Sequence, residues 1–134
     1  MTKRLIYSFA VILLEAASVY ADQPVTAQIP FSFHVGNSTF PSGSYTADSN
    51  VSAVGVLCLR SADGKSAVLV LSHGVQSSAG PTQARLIFHK YGEEYFLFQV
   101  WSSGDSGREL LKSRRETELA AGAKRSIQTI LAQR

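Results

Sequence analysis

Three histidines are the residues of this sequence best suited to binding a metal ion: His34, His73 and His89. A set of three histidines can bind zinc and leave a position open for a reacting water. Their separations of 39 and 16 residues match no usual ligand spacing. We therefore interpret them as ordinary strand and loop histidines, and we predict neither a metal nor another cofactor.

Paired carboxylates are a second candidate for chemistry. Glu93 and Glu94 are adjacent in a predicted turn, and Glu116 and Glu118 lie in a charged segment with high helix propensity. Glycoside hydrolysis needs two carboxylates that face each other across a cleft. Neither pair is predicted to do so, and a solvated turn or helix explains both.

Gly104-Asp105-Ser106-Gly107 resembles the stretch around the nucleophile of trypsin-like serine proteases. Arg108 follows where that pattern has a glycine, and no histidine lies in a matching motif. Such a serine needs a histidine base held by a buried aspartate. We interpret the four residues as a turn, and we interpret Cys58, in an apolar run, as a buried small hydrophobe. No catalytic residue is predicted.

Positive charge is concentrated at the C-terminal end. Residues 22–107 contain four basic and six acidic residues, whereas residues 108–134 contain seven basic and three acidic ones. Lys112, Arg114 and Arg115 form the densest cluster. It could contact anionic lipid, a cell-wall polymer or an acidic partner, although a solvated helix face would look the same.

The first 21 residues are typical of a secretory signal peptide. Lys3 and Arg4 precede an apolar run over residues 5–14, and Val19-Tyr20-Ala21 suits cleavage before Asp22. An N-terminal membrane anchor or a buried strand is the alternative. We therefore predict a periplasmic or extracellular protein with no transmembrane segment in the mature chain and no nucleic-acid partner.

The mature chain has the patterns of a β protein. Apolar and polar residues alternate from Val25 to Val35, which predicts one half-buried strand with an edge or bulge at Pro30. A short strand is expected over residues 44–48. Two hairpins are predicted, 54–60 with 66–72 around Asp63-Gly64, and 84–90 with 95–101. Residues 73–83 have the composition of a loop.

Two further expectations concern burial and the C-terminal end. Val68-Leu69-Val70-Leu71 is apolar on both faces, which predicts a central strand covered on both sides. Residues 108–121 have helical propensity, and Gly122 could end that helix. Residues 123–131 have helical spacing, and this segment would either cap the sheet or fray at its end. The prediction is an antiparallel β-barrel or sandwich of about six or seven strands over 22–107, with a basic helical segment over 108–134.

Six segments of the mature chain occur in an order and composition typical of one group of proteins, and they cover nearly all of that chain: residues 29–36, 40–45, 88–92, 95–97, 100–101 and 112–116. On these segments the chain resembles a group of small secreted bacterial proteins of unassigned function that are common in soil bacteria. Ser42 stands where that group would be expected to have a small residue such as alanine. The resemblance implies export and a compact β domain, and it supplies no activity, ligand or catalytic residue.

These observations lead to two main functional hypotheses. The first is an exported, non-catalytic binding domain or cell-envelope component. Its contacts would be exposed aromatic side chains or, for an anionic surface, the cluster of Lys112, Arg114 and Arg115. The second is a small β-barrel that carries an apolar ligand inside it. A hydrolase is a third and weaker possibility, because no constellation of catalytic residues supports it.

Overall fold

The computed structural model describes residues 23–49, 55–79, 83–102 and 104–133, so the predicted signal peptide over residues 1–21 lies outside the described residues. The described residues form ten strands and one helix, which confirms the mainly β class and exceeds the strand number that we predicted. The elements are β1 Val25–Ile29, β2 Phe33–Val35, β3 Ser38–Phe40, β4 Gly43–Asp48, β5 Val56–Ser61, β6 Ala67–Gln76, β7 Arg85–Tyr91, β8 Glu94–Trp101, β9 Ser106–Leu110, α1 Arg114–Ala120 and β10 Arg125–Leu131.

The strands form one open sheet in the order β1-β4-β5-β6-β9-β8-β2-β3, with β7 on β8 and β10 on β7. Strand β8 pairs with β7 along its whole length, while β9 pairs with its end at residues 99–101 and β2 meets it in parallel at Phe96. The backbone N–H of Gln133, just after β10, donates to the carbonyl of Thr26 in β1 at 2.8 Å. The two ends of the sheet therefore approach each other.

The alternating segment at the start of the mature chain is buried as predicted. Its inward side chains are between 0% and 2% exposed at Val25, Ala27, Ile29, Phe33 and Val35. The single predicted strand is in fact two, because β1 ends at Ile29 and β2 begins at Phe33. Pro30 has no N–H to donate to the ladder between β1 and β4. The chain leaves β4 at this residue, and the next strand, β2, pairs with β3 and β8.

Both predicted hairpins are confirmed. Gly64 and Gly92 have φ angles of +73° and +61° in the two turns, a region that glycine adopts without strain. In the first turn the Asp63 carboxylate accepts from the Ser61 hydroxyl at 2.6 Å and from the Lys65 N–H at 2.9 Å. Strand β6 continues to Gln76, inside the predicted loop, because residues 72–76 pair with β9.

The C-terminal end differs most from the prediction. The helix predicted over residues 108–121 is wrong at its start, because residues up to Leu110 belong to β9. Its predicted end is consistent with the structure, since α1 ends before Gly122. The helix predicted over 123–131 is wrong, because residues 125–131 form β10 and pair with all seven residues of β7. Pairing with a distant strand has overridden the local helical spacing. No helix in the described ranges has the length and apolar character needed to cross a membrane.

The core lies on one face of the sheet and is filled by side chains. Phe33 and Phe88 are fully buried, with ring centroids 5.5 Å apart and planes at 77°, a favourable edge-to-face arrangement. Aliphatic side chains from neighbouring strands complete the layer around these rings: Ile29, Leu57, Leu59, Leu86 and Val100. This face is called the inner face below, and the opposite one the outer face.

Candidate functional site

Each of the three histidines lies beside a different glutamate. The distances from imidazole nitrogen to carboxylate oxygen are 3.5 Å for His34 and Glu94, 3.0 Å for His73 and Glu109, and 2.9 Å for His89 and Glu116. Within the described part of the chain, no three histidine, cysteine, aspartate or glutamate side chains are grouped to hold a metal ion. The histidines thus belong to three separate polar contacts.

The contact between His89 and Glu116 is the most buried of the three. Glu116 is the buried residue of α1, and its Oε2 atom accepts from the Tyr91 hydroxyl at 3.0 Å in addition to contacting Nδ1 of His89. The His89 ring also stacks on Phe98 with centroids 3.8 Å apart. Ser113 caps the helix, because its hydroxyl accepts from the backbone N–H of Glu116 at 3.1 Å.

This cluster attaches the helix to the outer face of β7. A buried carboxylate is costly unless hydrogen-bond partners compensate it, and Nδ1 of His89 and the hydroxyl of Tyr91 are its partners here. Burial, and then the hydrogen bond and charge of Glu116, raise the pKa of Tyr91, while Arg125 acts in the opposite direction. The sequence shows only a glutamate on a charged helix, so the contact could not be predicted.

Two other sequence features have structural explanations. Ser106 and Gly107 of Gly104-Asp105-Ser106-Gly107 are the first residues of β9, and a side chain at Gly107 would come within 2.7 Å of the Trp101 ring. This explains the second glycine by packing. Cys58 is buried, as we predicted.

The outer face of β6 contradicts the prediction of a strand covered on both sides. Val68 and Val70 pack partly against the core, but Leu69 and Leu71 are 61% and 65% exposed. Leu111, just beyond β9, is 59% exposed. None of the described elements covers these leucines. A strand with apolar residues on both faces is therefore not necessarily packed between two layers.

A groove runs beside this part of β6. It has a volume of about 460 Å³ and lies between the turn from β2 to β3, residues 68–71 of β6 and the segment from Leu110 to Arg114. Leu69, Leu71, Leu111, Lys112 and Arg114 line it, and together they are called the leucine–cation groove below.

The predicted basic cluster is divided by the structure. Lys112 is exposed in the groove, and Arg114 is 92% exposed there with its Nε atom 3.5 Å from Glu118. Arg115 lies outside the residues that line the groove and is 3.0 Å from Glu94, which also contacts His34. Two of the three predicted cations therefore share a surface with exposed leucines, and the third lies outside the groove and pairs with a different glutamate.

Comparison of the chain with protein-family models, with curated proteins and with solved structures finds no match. A functional assignment therefore depends on the geometry of the described residues. The groove combines apolar surface with exposed positive charge, which suits binding. The His89 and Glu116 contact is buried beneath the helix, which suits a structural role.

Proposed function

We propose that this chain is an exported, non-catalytic binding domain or cell-envelope component that contacts an anionic partner through the leucine–cation groove. The observation that carries the proposal is the position of Lys112 and Arg114 beside Leu69, Leu71 and Leu111 on one groove. Clustered exposed apolar side chains mark interaction sites, and flanking cations select a partner of opposite charge.

Export is supported by the sequence. The N-terminal 21 residues have the pattern of a signal peptide, and the resemblance to small secreted bacterial proteins implies the same address. A single cysteine excludes an intramolecular disulfide, so the domain depends on its core for stability. We place the mature protein in the periplasm or outside the cell.

The alternative of a barrel that carries an apolar ligand has less support. Phe33, Phe88, Leu57 and Leu59 are at most 1% exposed and occupy the inner face, where such a ligand would lie. The sheet is also an open path rather than a closed one. Native mass spectrometry of the purified protein would still detect a retained ligand.

The experiment that tests the proposal compares two charge variants. The double variant Lys112→Gln, Arg114→Gln removes the cations of the groove, and Arg115→Gln removes one cation of the same segment that is paired with Glu94. Binding is measured to poly-glutamate and to vesicles that contain phosphatidylglycerol. The double variant should weaken binding to at least one probe by about tenfold or more, because each exposed cation contributes about 1 kcal/mol at an anionic surface.

The control should bind within about twofold of the unaltered protein, because Arg115 lies outside the groove and its charge is balanced by Glu94. Unchanged binding of the double variant to both probes would remove the groove cations from consideration. An equal loss in Arg115→Gln would show that net charge, rather than the groove, determines binding.

A further inference from the structure

Strand β6 is paired along both of its edges, but each partner covers a different half. Strand β5 pairs with residues 67–71 of β6, and β9 pairs with residues 72–76. In the described parts of the chain, no strand is paired with residues 67–71 on the edge opposite β5. The first half of β6 is therefore an open strand edge, and this edge lies in the leucine–cation groove.

The register shows which backbone groups the open edge presents. At one end of the β5–β6 ladder the N–H of Ser72 donates to the Gly55 carbonyl at 2.8 Å, and at the other the N–H of Ser61 donates to the Ser66 carbonyl at 2.8 Å. Alternate residues of an antiparallel strand bond to the same neighbour. Val68 and Val70 therefore bond towards β5, and the N–H and C=O groups of Leu69 and Leu71 point into the groove.

The position of α1 explains why the edge is open. Continuing the ladder of β9 beyond Leu110 would bring Leu111 opposite Leu71. Instead the chain turns at Ser113 into α1, which Glu116 attaches to His89 and Tyr91 on β7. The chain therefore departs from β6 after Leu110, and the edge of residues 67–71 faces the groove.

We propose that the open edge of β6 accepts an extended acidic segment of a partner protein, which adds to the sheet as a further strand. This rests on the proposed function and names its partner class. Strand addition uses unpaired backbone groups for affinity and the flanking side chains for specificity. Here Leu69, Leu71 and Leu111 offer apolar contact to alternate side chains of the segment, and Lys112 and Arg114 attract its carboxylates.

Charge favours an acidic partner over a second copy of the chain as the occupant of the groove. The long edge strand β10 contains Arg125 and no acidic residue, so it would bring like charge to the groove of another copy. A lipid surface would satisfy the leucines and cations but not the backbone groups of Leu69 and Leu71. An acidic strand would contact the leucines, pair with the cations and hydrogen-bond with the backbone groups.

The test uses a fluorescent peptide of alternating glutamate and valine and its lysine–valine counterpart, measured by anisotropy with the purified protein. Two further acidic peptides carry backbone N-methyl groups, one on the valine nitrogens and one on the glutamate nitrogens. A strand that adds to one edge of a sheet directs the N–H groups of alternate residues to that edge, so it hydrogen-bonds through either the valine or the glutamate nitrogens. We expect the acidic peptide to bind, the lysine peptide not to bind, and one methylated peptide to bind about tenfold more weakly than the other.

A pair of protein variants tests the same edge from the other side. Leu69→Pro removes an N–H that points into the groove and leaves the ladder with β5 intact, whereas Leu69→Ala removes the same side chain and retains the N–H. Circular dichroism tests whether each variant is folded. Binding should be weaker in Leu69→Pro than in Leu69→Ala, and if the proline variant does not fold, the methylated peptides still decide.

Each outcome bears on a different claim. Equal binding of the acidic peptide and both methylated forms, or equal loss by both, would overturn strand addition. If Lys112→Gln, Arg114→Gln still weakens binding in that case, the proposed function stands without it. Binding to phosphatidylglycerol vesicles with none to the acidic peptide would assign the groove to a membrane surface. Dimerisation of the protein alone in sedimentation, lost in Leu69→Pro, would assign the edge to a second copy and overturn the proposal.

Discussion

The Nδ1 atom of His89 lies 2.9 Å from Oε2 of Glu116, although 27 residues separate them in the sequence. Their side chains are 1% and 5% exposed. The contact holds a helix of seven residues, which is too short to be stable in water without tertiary contacts. It therefore determines where the chain goes after β9, and with it the shape of the groove beside β6.

Removal of the buried carboxylate should destabilise the protein strongly. Glu116→Ala leaves His89 and Tyr91 without their partner, and we expect the free energy of unfolding to fall by about 3 kcal/mol. The control is Glu118→Ala on the same helix, where the side chain is 58% exposed and the cost should stay below about 0.5 kcal/mol. Urea unfolding measures both. Equal small effects would show that α1 is held by other contacts.

Tyr91 should make stability depend on alkaline pH. Burial and the neighbouring Glu116 raise the pKa of Tyr91 above its ordinary value of 10.0, so the folded state favours the protonated phenol. The resulting stabilisation is complete below the unfolded-state pKa and is lost as pH rises through the folded-state pKa. Tyr91→Phe should be less stable near neutral pH, because the hydrogen bond to Glu116 is gone, and should lose less stability between about pH 9 and pH 11.

The comparison is made by urea unfolding at several pH values. Parallel declines of the two proteins in the alkaline range would contradict the assignment to Tyr91. The Tyr45 pKa is also raised, first by burial and then by the charge of Asp63, so Tyr45→Phe should likewise lose less stability in the alkaline range, at a tyrosine whose hydroxyl donates to the Pro41 carbonyl rather than to Glu116.

The exposed leucines of β6 should contribute little to folding. Leu69→Ser with Leu71→Ser alters side chains that are more than half exposed, and we expect a loss of less than about 1 kcal/mol in stability. Leu59→Ala, on the adjacent strand and fully buried, should cost about 2 to 5 kcal/mol. The serine variant should nevertheless lose binding to the acidic peptide. A large loss of stability in that variant would show that the outer face of β6 is part of the core.

Local patterns predicted the fold where neighbouring residues determine it. The alternation from Val25 to Val35 gave the buried face correctly, and the glycines at 64 and 92 marked both hairpin turns. Strand β10 was missed because its helical spacing is local, while its pairing with β7 depends on residues far away in sequence.

The site could be predicted only in part. Lys112, Arg114 and Arg115 were predicted as possible contacts from charge density, and the structure places the first two in the groove. The leucines of β6 were assigned to a covered strand, because sequence alone does not show whether a second layer exists. The contact between Glu116 and His89 joins a helix to a strand, and no spacing rule relates them.

Backbone hydrogen exchange along β6 tests the central claim most directly. In the free protein the amides of Val68 and Val70 should exchange slowly, because they bond to β5, while those of Leu69 and Leu71 should exchange rapidly from the open edge. Addition of the acidic peptide should protect Leu69 and Leu71 and leave Val68 and Val70 unchanged. Protection of all four amides in the free protein, or no change at Leu69 and Leu71 with bound peptide, would contradict an open edge that accepts a strand.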